Sequence, residues 1–475
     1  MIGFEITPRI HPEYGAWGTT PSVTTLDTLS GGLHARCLAL QQDDRRVLWY
    51  GSDLVGTDVD GTDALRLQVA DALGMDVSQI IWSTSQTHSS AAIPGSAVSG
   101  STNTDLVAVD NEFIEAERQR LLKRLVDAGR TALDELRPAD VWAGRGHCDS
   151  ISYNSRLPML LGGCKFSRDY AEGLQSDKYF DPTIGMVRFN EKSGTTIGTL
   201  FNFCCHPAVM ICDKYLSSDW VGSARRHIEA GQDGAPAMYL QGFCGDVHPY
   251  YMFGTPEQAT TLGERLGAAA VAALPTLVPA RPEPFAYAWE TIQIARQPMP
   301  SREMCEQGVA EGEAFIDEVL NRNPRAVWIG AYNAPDPDLF TPEQRAASAR
   351  MSADYFLGLM RMIDDGIDPP PTYSMHLGGV RIGDVAAALS PGENLTLTGF
   401  QVRGRSPFVH TLVCGDTNGL FGYIGADEEI HRGGAETDYH WRPPNKGRFR
   451  LPPAKGSAQR VIDGLDGLLH DLHDA

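Results

Sequence analysis

Arg46-Val47-Leu48-Trp49-Tyr50 is a short apolar run of strand character, Asp63 to Leu73 places apolar residues at helical spacing, and Gln79-Ile80-Ile81-Trp82-Ser83 returns to strand. Strand, helix and strand in that order predict a β-α-β unit. The rhythm returns further along, with Thr196 to Phe203 as strand, Val221 to Ala230 as helix, Ala237-Met238-Tyr239-Leu240-Gln241 as strand and Pro256 to Ala273 as helix. Strands alternating with helices imply an α/β fold, a mixed or parallel sheet core with helices covering both faces.

A long charged helix is expected from about Asn111 to Leu136, with Phe113, Leu121, Leu122, Leu125 and Leu133 at roughly helical intervals. Between residues 298 and 371 the composition turns to charged helical text, Glu306 to Leu320 and Glu343 to Asp364, separated by Asn333-Ala334-Pro335-Asp336-Pro337-Asp338. The second stretch follows Thr341-Pro342, an N-cap with proline at the first helical position. This region is read as a helical insertion or lid on a single domain spanning 1–475, with Tyr355, Phe356, Met360 and Met362 packing its helices together.

The chain has 475 residues, 42% hydrophobic and 21% charged, as expected of a globular protein. Its 60 acidic and 40 basic residues give a net charge of -20, which repels phosphate backbones and anionic membrane surfaces and argues against a nucleic-acid partner. The most apolar run, Ala268 to Leu274, is too short to span a bilayer, and Met1 to Pro8 has no basic region followed by an apolar one, so a cytoplasmic protein without stable membrane insertion is expected. Subunit number is not encoded in charge, and a homo-oligomer stays open. Nine cysteines without C-x-x-C spacing suggest buried thiols. Cys204 and Cys205 are adjacent on an extended segment, point to opposite faces and read as packing.

Polar residues gather where the predicted strands end. His88 lies just past a strand, in a loop that runs through Pro94-Gly95 to Gly100; His206 follows Phe203; Gly245-Asp246-Val247-His248-Pro249 follows the strand through Leu240, with Gly242 and Gly245 permitting a tight turn. Glu393 stands in the turn Ser390-Pro391-Gly392-Glu393, and Tyr423 closes the glycine-bearing segment from Asn418. Open α/β folds bind ligands beyond the carboxyl ends of their strands. Singly each residue has an ordinary structural explanation; their convergence in one fold points to a site. Two imidazoles, a carboxylate and a phenolate would form a nitrogen/oxygen zinc centre with room for water, which points to hydrolysis. The same donors are compatible with manganese, iron or nickel.

In their order these segments resemble the catalytic domain of the neutral (non-lysosomal) ceramidase family, in particular its shorter bacterial members. The likeness begins at Gly3-Phe4-Glu5-Ile6-Thr7-Pro8 and continues through Tyr50 to Gly56, Asn154-Ser155-Arg156-Leu157-Pro158, Asp181-Pro182 and Ser218-Asp219-Trp220. Cys244 to Pro249, Pro391-Gly392-Glu393 and Gly422-Tyr423 complete it. The resemblance implies a zinc-dependent amidase with metal ligands His88, His206, Glu393 and Tyr423. It implies that Arg156 lies near the substrate, where it would hold an anion or a developing oxyanion, and that Asp53, Asp219 and Asp246 support the site from behind. The chain is too short for the immunoglobulin-like domain that follows in true ceramidases, so a small amide or ester substrate is expected.

Two departures stand out. The family's His-Thr-His-Ser-Gly is here Gln86-Thr87-His88-Ser89-Ser90; if the missing imidazole is the ligand, His88 is catalytic or supporting and zinc is held more weakly. The family's Gly-Asp-Val-Ser-Pro carries His248 in place of serine, which removes a hydroxyl nucleophile and leaves metal-activated water, with His248 or His88 as general base or acid. Two rival readings remain: a lyase or isomerase that moves protons with His248 and Asp246, and a non-catalytic binding protein with a degenerate site.

Overall fold

The computed structural model describes residues 1–11, 15–16, 25–90, 111–160, 162–174, 176, 179–211, 215–440 and 450–475. Three sheets carry the fold. The first has the strand order Ile2–Glu5, His34–Gln42, Arg45–Ser52, Ile80–Thr84. The second runs Ala237–Gln241, Thr196–Phe203, Thr183–Glu191, Ala139–His147, Val278–Ala280, and the third Phe285–Ala295, Thr372–Ile382, Val385–Leu389, His410–Cys414. Each contains one parallel pair connected through a helix: Arg45–Ser52 with Ile80–Thr84 through Val59–Leu73, Thr196–Phe203 with Ala237–Gln241 through Asp219–Ala230, and Val385–Leu389 with His410–Cys414 through Thr396–Arg405. The other pairings within these sheets are antiparallel. The fold is therefore α/β, as expected from the alternation of elements, with mixed sheets.

Side-chain alternation explains how the sheets assemble. Val47, Trp49 and Ile81 of the first sheet, Leu200, Met238 and Leu240 of the second, and Val385, Ala387, Leu389, Leu412 and Cys414 of the third belong to one common core. Their immediate neighbours in sequence point the other way, under helices. Leu48, Tyr50, Ile80 and Trp82 meet Leu65 and Val69 of Val59–Leu73 and Leu121 and Leu125 of Asn111–Asp134. Phe201, Phe203 and Tyr239 meet Asp219–Ala230 and Pro256–Ala273. Ala386, Ala388 and Val413 meet Val402 and the C-terminal helix Ser457–Asp474. Strands buried on both faces read as continuous apolar runs. A period of two sorts such a run into an inner core shared by three sheets and three outer cores capped by helices.

The insertion lies between Phe285–Ala295 and Thr372–Ile382, which pair in antiparallel register from Ala295 opposite Thr372. It holds the helices Arg302–Asn321 and Pro342–Asp364, the second opened by a capping box of Thr341 and Gln344 with proline at its first turn. Tyr355 is buried there with Cys305 and Leu359, and Phe356, Met360 and Met362 pack around them. Among the described residues no helix is long and apolar enough to cross a membrane. The eight described cysteines are all buried and free.

The shared inner core makes a quantitative demand. Leu200, with no exposure, sits at the meeting of the sheets, so Leu200→Ala is expected to cost about 2–5 kcal/mol in urea unfolding. Val278→Ala, on an exposed edge strand, should stay within about 0.5 kcal/mol of the parent. Equal small losses in both would refute a common core.

Candidate active site

The parallel pairs deliver polar residues from all three sheets to one place. Beyond Ile80–Thr84 the backbone continues its pairing, with Ser85 N donating to Ser52 O (2.8 Å) and Gln86 N to Leu54 O (2.9 Å). The first and third sheets are stitched by Asn418, whose N donates to Trp82 O (2.6 Å) and whose Oδ1 accepts from Trp82 N (2.8 Å). Glu393 lies in the short strand Gly392–Asn394, parallel to Gly422–Ile424, directly opposite Tyr423, so carboxylate and phenol are register partners. Gly245 permits the second sheet's loop to come this close: a Cβ there would stand 2.7 Å from the Glu393 carbonyl oxygen. Its use is close approach. Gly242 is in the same position, 2.8 Å from the Cys204 Cα, and neither residue takes a positive φ.

Three imidazoles meet at the centre. His206 and His248 stack with ring centroids 4.4 Å apart and planes 6° from parallel, and His88 lies 5.7 Å from His206. His206 Nδ1 donates to the Val247 carbonyl (3.1 Å), which fixes the tautomer and leaves the Nε2 lone pair unused. His206 Nε2 and His88 Nε2 are both sealed from solvent without a hydrogen-bond partner. Glu393 Oε2 stands 3.8 Å from His206 Nε2, and the Tyr423 ring centroid 6.4 Å from that of His206. His248 Nδ1 lies 3.0 Å from Ser155 Oγ, which itself donates to the Asp246 carbonyl (3.2 Å). Ser155 Oγ therefore accepts a hydrogen bond from the His248 Nδ1–H, which leaves the His248 Nε2 lone pair available. Burial first, then the His206 ring, pushes His88 down to about 4 and His248 well below the ordinary histidine range. Both are neutral at pH 7.

Gln86 stands where the ceramidase-like motif of the sequence reading has an imidazole. It takes a positive φ of 64° and donates from Nε2 to Glu393 Oε2 at 2.7 Å. Asp416, which the strand-end reading passed over, lies beside this pair. It is 2% exposed, its Oδ1 has no hydrogen-bond partner, and burial followed by the charge of Glu393 raises its carboxyl well above the usual range. Its signal was in plain view, since Cys414-Gly415-Asp416 ends a strand of the third sheet.

The donors suit a divalent cation in kind: two unpartnered imidazole nitrogens and an adjacent carboxylate form the nitrogen/oxygen set that zinc accepts. Among the described residues, no three or more His, Cys, Asp or Glu side chains are grouped as a metal centre. The unpartnered nitrogens are thus the observation that fits a metal. Cys204 and Cys205 take no part; their thiols donate to Phe243 O and His206 O.

The remaining sequence candidates are occupied by the protein itself. Arg156 is fully buried, and its guanidinium donates to Glu429 Oε2 (3.1 Å), to Glu436 and to Gly433 O (2.8 Å). It fastens the segment carrying Glu429 and Glu436 and has no fork left for a substrate anion. Asp246 accepts from Asn154 Nδ2 (2.8 Å) and from the Thr396 amide and hydroxyl (both 2.7 Å), so it holds a strand and a helix start rather than His248. Asp219 accepts from Met210 N (3.0 Å) and Trp220 N (2.8 Å) and shapes the loop after His206. Asp53 pairs with Arg225 (2.7 Å). The loop expected beyond His88, Pro94 to Gly100, lies outside the described residues.

Removing the Arg156 side chain strands two buried carboxylates. Arg156→Met is expected to lower stability by about 3–5 kcal/mol, read by urea unfolding, and adding Glu429→Gln with Glu436→Gln should restore most of the loss. A pH signature belongs to Asp219, whose carboxyl burial pushes up to about 6 against the pull of backbone amides. The native state then holds a proton that the unfolded chain releases near pH 4, so stability falls as pH rises from about 4 through 6. Asp219→Asn should flatten that slope; an unchanged slope would refute an ionising, buried Asp219.

The architecture has known counterparts. No protein-family model and no curated protein matches the chain. Among solved structures, the crystal structure of neutral ceramidase from Pseudomonas aeruginosa superposes with a TM-score of 0.64 at 15% identity, over 99% of this chain and 74% of that one. A ceramidase complexed with C2 superposes with a TM-score of 0.65, at the same identity and coverage. At nearly full coverage, this protein has the neutral ceramidase fold.

Proposed function

We propose that the protein is a metal-dependent hydrolase that cleaves an amide or ester bond of a small substrate at the histidine cluster. The observation that carries this reading is the pair of buried, unpartnered Nε2 atoms of His88 and His206 beside the Glu393 carboxylate. Most buried polar groups are hydrogen-bonded, and a neutral imidazole whose Nε2 carries the lone pair, as His206 does, can ligate a metal. His88, His206, Glu393 and Tyr423 would hold the ion, zinc by preference. When bound, it would supply Lewis acidity to a carbonyl oxygen and lower the pKa of a water towards ~7.

The chain's own residues do the rest. His248, neutral and fixed through Nδ1 by Ser155, presents Nε2 to accept a proton from water and return it to the leaving group. Arg156 positions the segment that ends at Tyr439, whose hydroxyl donates to the Tyr423 carbonyl, and so holds Tyr423 in register. The insertion belongs to the same catalytic unit: Arg168 ion-pairs with Asp336 (2.5 Å) and donates to Tyr332 O (3.0 Å). The likeness to ceramidase structures puts amides ahead of esters. A proton-transfer lyase built on Asp246 and His248 has less support, because Asp246 bonds Asn154 and Thr396.

Elemental analysis of protein purified without added metal tests the reading. About one divalent metal per chain is expected, lost in His206→Ala and in Glu393→Ala together with hydrolysis of an amide and ester panel. Full occupancy in both variants would refute the ligand assignment.

A further inference from the structure

We propose that the cavity between the insertion and the segment 432–440 is a subsite for one aromatic ring of the substrate, an aryl group joined to the scissile amide or ester through a linker of several bonds. This deepens the hydrolase reading and rests on it. The cavity has a volume of about 200 Å³ and is lined by Phe166, Ile329, Ala331, Tyr332, Gly434 and His440 among others. Its position relative to the histidines is fixed by Phe166. That ring lines the cavity and also meets His248 edge to face, with centroids 4.7 Å apart and planes at 83°. An occupant thus lies one ring away from the proposed general base.

The walls are built in advance. Arg168 lays its guanidinium over both Phe166 (4.6 Å) and Tyr332 (4.3 Å), and its buried ion pair with Asp336 holds it there. The two rings stand 5.2 Å apart at 37°. A ligand therefore meets aromatic surfaces that need no reordering, which favours a flat apolar group. Size narrows the class. An apolar cavity of about 150 Å³ accommodates benzene, so this one has room for a ring with its first linking atoms.

Ligand-observed NMR with benzamide and with octanamide on the full chain tests the subsite. Benzamide is expected to bind, octanamide to bind at least about tenfold more weakly, and Ala331→Phe or the partly exposed Ile329→Trp to weaken benzamide about tenfold by filling the cavity. Thermal melting identifies whichever variant stays folded. Benzamide binding that is lost in the variants, with no amide or ester turned over, supports the subsite while the hydrolase reading fails. Turnover of acetyl and 4-phenylbutanoyl substrates with equal kcat/KM, and benzamide binding unchanged in a folded variant, overturns the subsite while the hydrolase reading stands.

Discussion

The inner core shared by three sheets is the constraint on which the site depends. Every strand that enters it alternates between that core and a helix-covered outer one, and a slip of one residue would turn Leu200 or Leu389 out of the centre. Register is therefore fixed over the whole length of the parallel strands, and so are the positions of the residues that follow their carboxyl ends. Gln86 and His88 follow a strand of the first sheet and His206 one of the second, while His248, Glu393 and Tyr423 lie further along, in the short strands Val247–Pro249, Gly392–Asn394 and Gly422–Ile424. The distances between them follow from apolar packing one layer below. Polar residues held this way need no loop of their own to bring them together, which suits a site that must be rigid.

Around the centre, the protein distinguishes two kinds of buried polar group. Arg156, Asp246, Asp219 and Asp53 are satisfied by partners within the chain, and their energetic role is to tie strands, helix starts and loops where few apolar contacts are available. His88 Nε2, His206 Nε2 and Asp416 Oδ1 are buried without such partners. Leaving a buried donor or acceptor unmade costs about 1–3 kcal/mol each. A fold that carries three of these beside one carboxylate is not optimised for the stability of the empty chain.

Much of this was legible in the sequence, and the limits have physical causes. Thr196 to Phe203, Ala237 to Gln241 and Pro256 to Ala273 read correctly because each is an uninterrupted apolar or amphipathic run bounded by turn or capping residues. The strand-end rule also singled out His88, His206, His248, Glu393 and Tyr423, whose side chains lie near one another in the fold. It does not say which strand ends meet, because the contacts are long-range: Arg156 reaches Glu429 across 273 residues, and Gln86 reaches Glu393 across 307. For the same reason Arg156 looked available from sequence, where its two carboxylate partners were invisible. The antiparallel majority of the pairings was hidden too, since apolar runs buried on both faces carry no mark of direction.

Gln86 shows how a single side chain shapes such a centre. An imidazole at that position offers a lone pair to a cation; the Gln86 side-chain nitrogen instead donates a hydrogen bond to Glu393 Oε2. The carboxylate is thereby held in place by the protein alone, and one of its acceptor positions is taken. A cation entering beside His206 would have to share Glu393 with that amide, and would be bound less tightly than by a site in which every neighbour is a ligand. In exchange, the carboxylate needs no ion to stay oriented, and Asp416 next to it is kept protonated by burial and by the Glu393 charge. The centre thus holds its shape on hydrogen bonds, with the imidazole nitrogens as its free valences.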